Sequence, residues 1–227
     1  MRRRVPNPRR ADKSGREIAI MPGVYRQSGE FYSLSVKHEE QRSFKLFASQ
    51  FEPNRRHDPH FSYDLMRTEQ HYATQTAGLD LAFDIRSALF FATHQFQWDD
   101  QGKATYRAIP RGEHLGVIYL FRFGSPPVRR TDFLVQDFDF FRTRRPERIL
   151  RQQCGLPLFD SYERNIALTE VDCIIELDAE FESADGLTPE YMFPNTSEDS
   201  FYSKLLELKD AHPTLLSNVV EYRWARE

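Results

Sequence analysis

The stretch from Leu65 to Phe96, LMRTEQHYATQTAGLDLAFDIRSALFFATHQF, constrains this chain more than any other. It sets a polar triplet, Gln70-His71-Tyr72, and a Gly78-Leu79-Asp80 turn directly ahead of a strongly apolar segment. Ile85, Ala88, Leu89, Ala92 and Phe96 recur at helical spacing, and Asp84 precedes them with a side chain suited to an N-cap. The spacing predicts a helix over 85–96. Phe90 and Phe91 extend its apolar face nearly all round, so both are expected in the core and the helix at the centre of the fold. Polar groups typical of sites and apolar groups typical of cores thus stand side by side.

Around this stretch the pattern is α+β. Upstream, Met21 to Arg26 reads as a short strand, and apolar residues between Val36 and Phe51 fall at helical spacing among charges. A second helix from Ser62 to Ala73 would put Leu65, Glu69 and Tyr72 on one stripe, with Gln70 and His71 at its C-terminal end. Thr74 to Ala82 reads as a loop entering a short strand, and residues 97–114 as a polar excursion. Gly116 to Phe123 is expected to be a strand buried on both faces. Gly155 to Phe159 and Val171 to Leu177 are further strands, and Thr188 to Phe193 a helical turn. Ser197 is expected to cap a helix running to about Ala211, with a last helix from Pro213 carrying Leu215, Leu216, Val219, Val220 and Tyr222. The expected architecture is one domain over 21–227, a central mixed or antiparallel sheet flanked by helices, preceded by a basic arm over 1–20.

That arm carries Arg2, Arg3, Arg4, Arg9, Arg10, Lys13 and Arg16 against the single acid Asp12. It reads as a solvated tail or as a tether to nucleic acid or membrane. A net charge of −3 argues against a protein whose main partner is nucleic acid. Five arginines between Arg142 and Arg151 read as a solvated face or as a phosphate-binding surface. No apolar run approaches the ~18 residues of a membrane span, and no hydrophobic segment follows the basic start. A cytoplasmic location without a membrane partner is the expectation. Cys154 and Cys173 fit a reducing compartment and lack CxxC spacing.

Glycine-rich phosphate loops are missing from the sequence, as are the GxSxG and HExxH signatures. His57 and His60 are separated by Pro59, which prevents helical presentation, and spacing identifies no third ligand, so no metal is expected.

Tyr25-Arg26 and the block QHYATQTAGLDLAFDIRSALFFA, residues 70–92, resemble the FRG domain family, named for a Phe/Tyr-Arg-Gly start. That family continues with a QHxGxPTRLLDWT segment and then ALxFA; Gln70, His71, Thr76, Leu79, Asp80 and Ala88 to Ala92 stand in register. Arg148-Ile149 with Gln152-Gln153 and Gly155 is similar to the family's RIxxQxG pattern with one residue more. Met192-Phe193-Pro194-Asn195 is similar to its FPD-type segment. Gln27, Ala73, Ala77 and Leu81-Ala82 replace the usual glycine, glycine, arginine and Trp-Thr. Loss of the arginine removes an obvious anion contact.

Members of the family sit among prokaryotic proteins, some with suspected roles in defence. A looser architectural likeness to ADP-ribosyltransferases rests on chain order: Tyr25-Arg26, the Asp80 turn with ALFFA, then Gln153 as a late candidate. Together these resemblances imply a nucleotide-type ligand, with NAD as the cofactor or substrate. They also imply a transferase or glycohydrolase acting at the nicotinamide ribose, as a toxin or defence effector on a protein or nucleic-acid target. The alternative is a non-catalytic module that holds a protein or nucleic acid.

In this reading Tyr25, Arg26, Gln70 and Asp80 contact the ligand, and His71 and Gln153 do the chemistry. Each has a bland counterpart. Arg26 would be a buried cation paired with a carboxylate such as Asp80, His71 a satisfied core histidine, and Gln152 competes with Gln153. Asp80 is better suited to orient a neighbour than to attack.

Overall fold

The computed structural model describes residues 20, 69–74, 79–113, 116–122, 133–134, 146–157, 167, 170–182 and 186–223. The arm, the strand at Tyr25-Arg26, the helix expected over Val36 to Phe51 and the His57/His60 pair lie outside these residues. The described part is α+β, with antiparallel pairing in every sheet. Strand β1 (Leu81–Ala82) pairs with β6 (Cys154–Pro157), whose other edge takes β5 (Phe133–Leu134). Strands β2 (His94–Trp98) and β3 (Ala104–Ala108) form a hairpin, and β4 (Val117–Phe121) pairs with β7 (Val171–Glu176). Among the described residues these are three small sheets, where the sequence suggests one central sheet.

Helix α1 (Ile85–Thr93) starts where the sequence places it, with the Asp84 carboxylate accepting from Arg86 N at 3.0 Å. It stops three residues early. Thr93 Oγ1 donates to Leu89 O at 2.8 Å, and His94 turns extended, φ −124°, to open β2. Residues 97–114 are therefore no excursion. Asp99 accepts from Gln101 N and Lys103 N at 2.9 and 2.8 Å, and Gly102 at φ +70° closes the turn into β3. Composition concealed that strand, because its residues are small or polar although Ala104 is fully buried.

Two burial expectations are corrected. Phe90 is a core residue at 2% exposure, but Phe91 is 38% exposed and Ile85 53%. Strand β4 buries Ile118, while Val117 and Leu120 stay 36% and 41% exposed. The reason is shared: Ile85, Ala88, Phe91 and Ala92 of α1 and the whole of β4 border a cleft. They meet at Gly116, where a Cβ would come within 2.5 Å of Ala92 O.

Helix α2 (Glu147–Gln152) lies between β5 and β6, and α3 (Pro189–Met192) and α4 (Ser200–Ala211) follow β7. The N-cap of α4 is Asp199, not Ser197. Asn195 Oδ1 takes the Ser197 N–H and hydroxyl in a preceding turn, which delays the helix. The last helix expected from Pro213 does not form; residues 213–218 are turns and the chain then runs extended. Val220 N donates to Tyr72 O at 2.9 Å, Ala104 N to Glu221 O at 2.6 Å and Arg223 N to Ala104 O at 2.8 Å. Those backbone bonds to two different elements outweigh a helical spacing of apolar residues, and Val219-Val220 are β-branched, which suits extension.

Among the described residues, two core clusters flank the site. Tyr72, Ile149, Phe201, Tyr202, Leu205, Leu216 and Val219 pack as one cluster. Phe90, Met192 and Phe193 form another, bordered by Tyr106 and Tyr222. Arg148 stands between the two.

Candidate functional site

The site is built from the end of the helical turn at 69–72. Its last carbonyls lack partners within the helix and must find them elsewhere. Arg148 Nη1 donates to His71 O at 2.8 Å, which places a cation at the negative helix terminus. The Arg148 side chain is fully buried. Its guanidinium lies 4.4 Å from the Tyr72 ring centre, 4.5 Å from Tyr202, 4.6 Å from Tyr222 and 5.5 Å from Phe193. Asp199, also fully buried, accepts from Tyr72 Oη at 2.6 Å, Arg148 N at 3.2 Å and Tyr202 N at 2.9 Å. Burial, then the Asp199 charge, push the Tyr72 hydroxyl well above its ordinary range, so it serves as a permanent donor. The arginine run from Arg142 is thus not simply a solvated face. Arg148 is internal, and Arg151 is tied to Glu147 and Glu198.

This frame holds His71, which is 4% exposed. Its Nδ1 is 2.8 Å from Gln152 Oε1, and Gln152 Nε2 donates to Met192 O at 2.9 Å. On the other side of the ring, Nε2 is 3.7 Å from Asp80 Oδ2. Gln70, His71, Asp80 and Gln152 all line one cavity of about 880 Å³. Phe91, Phe96, Tyr106, Tyr119, Phe193 and Tyr222 supply aromatic wall, and Ala88 and Ala92 of α1 leave room between them. Tyr106, Phe193 and Tyr222 are stacked, with centroids 4.7 and 4.6 Å apart. Burial pushes the Tyr222 hydroxyl up to about 12 and raises Tyr106 further, so neither ionises near neutral pH. Cys154 also borders the cavity, but burial and then Asp80 and Asp84 raise its thiol, which makes it a poor nucleophile.

Of the residues singled out from sequence, Gln70, His71 and Asp80 come together. Tyr25 and Arg26 lie outside the described residues. Gln153 does not line the cavity. It ends α2 in the left-handed conformation, φ 49°, its N–H on Ile149 O and its carbonyl accepting from Phe83 N at 3.0 Å. Gln152 takes the place beside His71. The signal for it was in the sequence, since in RIxxQ counted from Arg148 the glutamine is Gln152. Arg148 heads the same pattern, although a basic run gives no hint that one member is internal.

Among the described residues, no group of three or more His, Cys, Asp or Glu could hold a metal ion, and no helix is long and apolar enough to cross a membrane. No curated protein and no solved structure was found to match the chain. A family model, that of the FRG domain, does match residues 11–101, a span that includes Gln70, His71 and Asp80 and leaves Arg148 and Gln152 downstream.

Proposed function

We propose that this cavity binds a nucleotide-type ligand, with NAD the first candidate, and that the FRG domain acts on it at the nicotinamide ribose. The observation that supports this reading is the convergence of Gln70, His71 and Asp80 on one aromatic-walled cavity of about 880 Å³. That volume suits a ligand of nucleotide size. Aromatic faces accept a planar base or pyridine ring, while a carboxylate and a carboxamide suit ribose hydroxyls or a nicotinamide amide. Asp80, 23% exposed in its side chain, also sets negative charge where a pyridinium or an electron-poor ribose carbon would be stabilised. In the reaction, the C1′–N bond breaks with its electron pair leaving on nicotinamide. Water or an acceptor hydroxyl then bonds to C1′ and gives its proton to the His71–Asp80 pair. NAD consumption of this kind is the chemistry expected of a toxin or defence effector.

The alternative is a non-catalytic module that holds protein or nucleic acid through the cleft or the 142–151 arginines. Of those arginines, Arg148 is buried against His71 O and Arg151 pairs with Glu147 and Glu198. An NAD-consumption assay separates the readings. Turnover by the wild type that falls at least about 100-fold in His71→Ala supports the proposal, since a positioned proton acceptor contributes about 10²–10⁴-fold. Absence of both turnover and NAD binding in the wild type would remove it.

A further inference from the structure

The orientation of Gln152 fixes the chemistry of the histidine beside it. A carbonyl oxygen only accepts hydrogen bonds, so the Gln152 atom 2.9 Å from Met192 O must be the amide nitrogen. The atom 2.8 Å from His71 Nδ1 is then the amide oxygen, another acceptor, and Nδ1 must carry a hydrogen. Gln152 is 2% exposed, so water does not compete for this choice. The remaining nitrogen, Nε2, faces Asp80 Oδ2 at 3.7 Å at the cavity wall.

We propose that Gln152 is a positioning residue, which locks His71 with its hydrogen on Nδ1 so that Nε2 is the nitrogen that gains and loses a proton, next to Asp80 and the cavity. This rests on the reading of the cavity as the functional site, and assigns the direction in which a proton moves there. A base removing a proton from an incoming nucleophile would be Nε2, and the proton would come to lie between Nε2 and the Asp80 carboxylate. Other ionisable groups bear on that proton. Arg148 approaches from α2 through His71 O, and the Cys154 thiol on β6 and the Tyr106 hydroxyl on β3 both sense the Asp80 charge. Among the described residues Asp80 is the carboxylate that faces Nε2, and it favours the protonated ring.

Long-range ¹H–¹⁵N spectra of the full chain, ¹⁵N-labelled at histidine, test this, with His71 assigned from its loss in His71→Asn. The wild type is expected to show a protonated Nδ1 across the pH series, with Nε2 as the titrating nitrogen. Gln152→Glu, which keeps an acceptor, retains that pattern, whereas Gln152→Leu gives a mixture of tautomers at unchanged circular dichroism. Asp80→Asn lowers the pH at which Nε2 loses its proton. A wild-type ring with bare Nδ1, an unaltered tautomer in Gln152→Leu, or an unmoved titration in Asp80→Asn would overturn the proposal. Adding NAD to the same samples reads the functional proposal separately: no NAD binding with the expected tautomer sinks that reading and leaves the role of Gln152 standing.

Discussion

Arg148 holds a full charge at zero exposure, and taking an ion out of water costs several kcal/mol unless its surroundings compensate. Three tyrosine rings and Phe193 face the guanidinium, and one N–H satisfies the helix-end carbonyl of His71. Planarity matters here, because a lysine ammonium cannot stack on several rings and reach His71 O at once. Arg148→Ala is expected to destabilise by about 3 kcal/mol and Arg148→Lys by about half as much, measured by urea unfolding. His94 offers a pH-dependent test. It stacks on Phe90 at 4.2 Å, its Nδ1 is 2.9 Å from Phe90 O, and burial lowers its pKa from the ordinary 6.5. The unfolded chain therefore binds the proton at higher pH than the folded one, and stability falls as pH drops through 6.5. Removing the ring in His94→Gln is expected to flatten the urea midpoint between pH 7 and 5.5 relative to wild type. An equal slope in both would contradict the assignment. The burial of neither residue was legible: a charge run looks solvated even where Arg148 heads a family-like pattern, and His94 falls inside the helix expected over 85–96.

At the scale of elements, local chemistry was legible and long-range pairing was not. Asp84 as the cap of α1 followed from residue type and position. The delay of α4 from Ser197 to Asp199 did not, because it depends on a turn held by Asn195 and on Tyr72, far away in sequence. The two residues can be told apart by experiment. Asp199→Ala removes a cap worth about 1 kcal/mol and also leaves the buried Tyr72 hydroxyl without its acceptor, a further 1–3 kcal/mol or so. A loss of about 3 kcal/mol is expected in thermal or urea unfolding, against less than about 0.5 kcal/mol for the exposed Ser197→Ala. Comparable losses in both would return the cap to Ser197. The extended chain at Val219–Tyr222 carries the same lesson. It is specified by partners elsewhere in the fold, at Tyr72 and Ala104, and a window of neighbouring residues does not contain them.

For the molecule as a whole, the sequence singled out Gln70, His71 and Asp80, which border one cavity, but misjudged what the apolar helix is for. The face of α1 read as core is divided: Phe90 packs against Phe193 and Tyr106, while Ile85, Ala88, Phe91 and Ala92 border the cavity. The family-like blocks at Gln70-His71, Asp80, Arg148 to Gln152 and Met192-Phe193, dispersed along the chain, converge on that same place. Arg148 and Gln152 hold His71 there, and the Met192 carbonyl in turn holds Gln152. Calorimetric titration of NAD tests whether this cavity binds the nucleotide-type ligand proposed for it. The wild type should give a saturable isotherm, and Ala88→Phe, which puts a ring into the cavity from α1, should weaken it at least about 10-fold at unchanged thermal stability. No binding of NAD to the wild type, or equal binding to the filled variant, would contradict it.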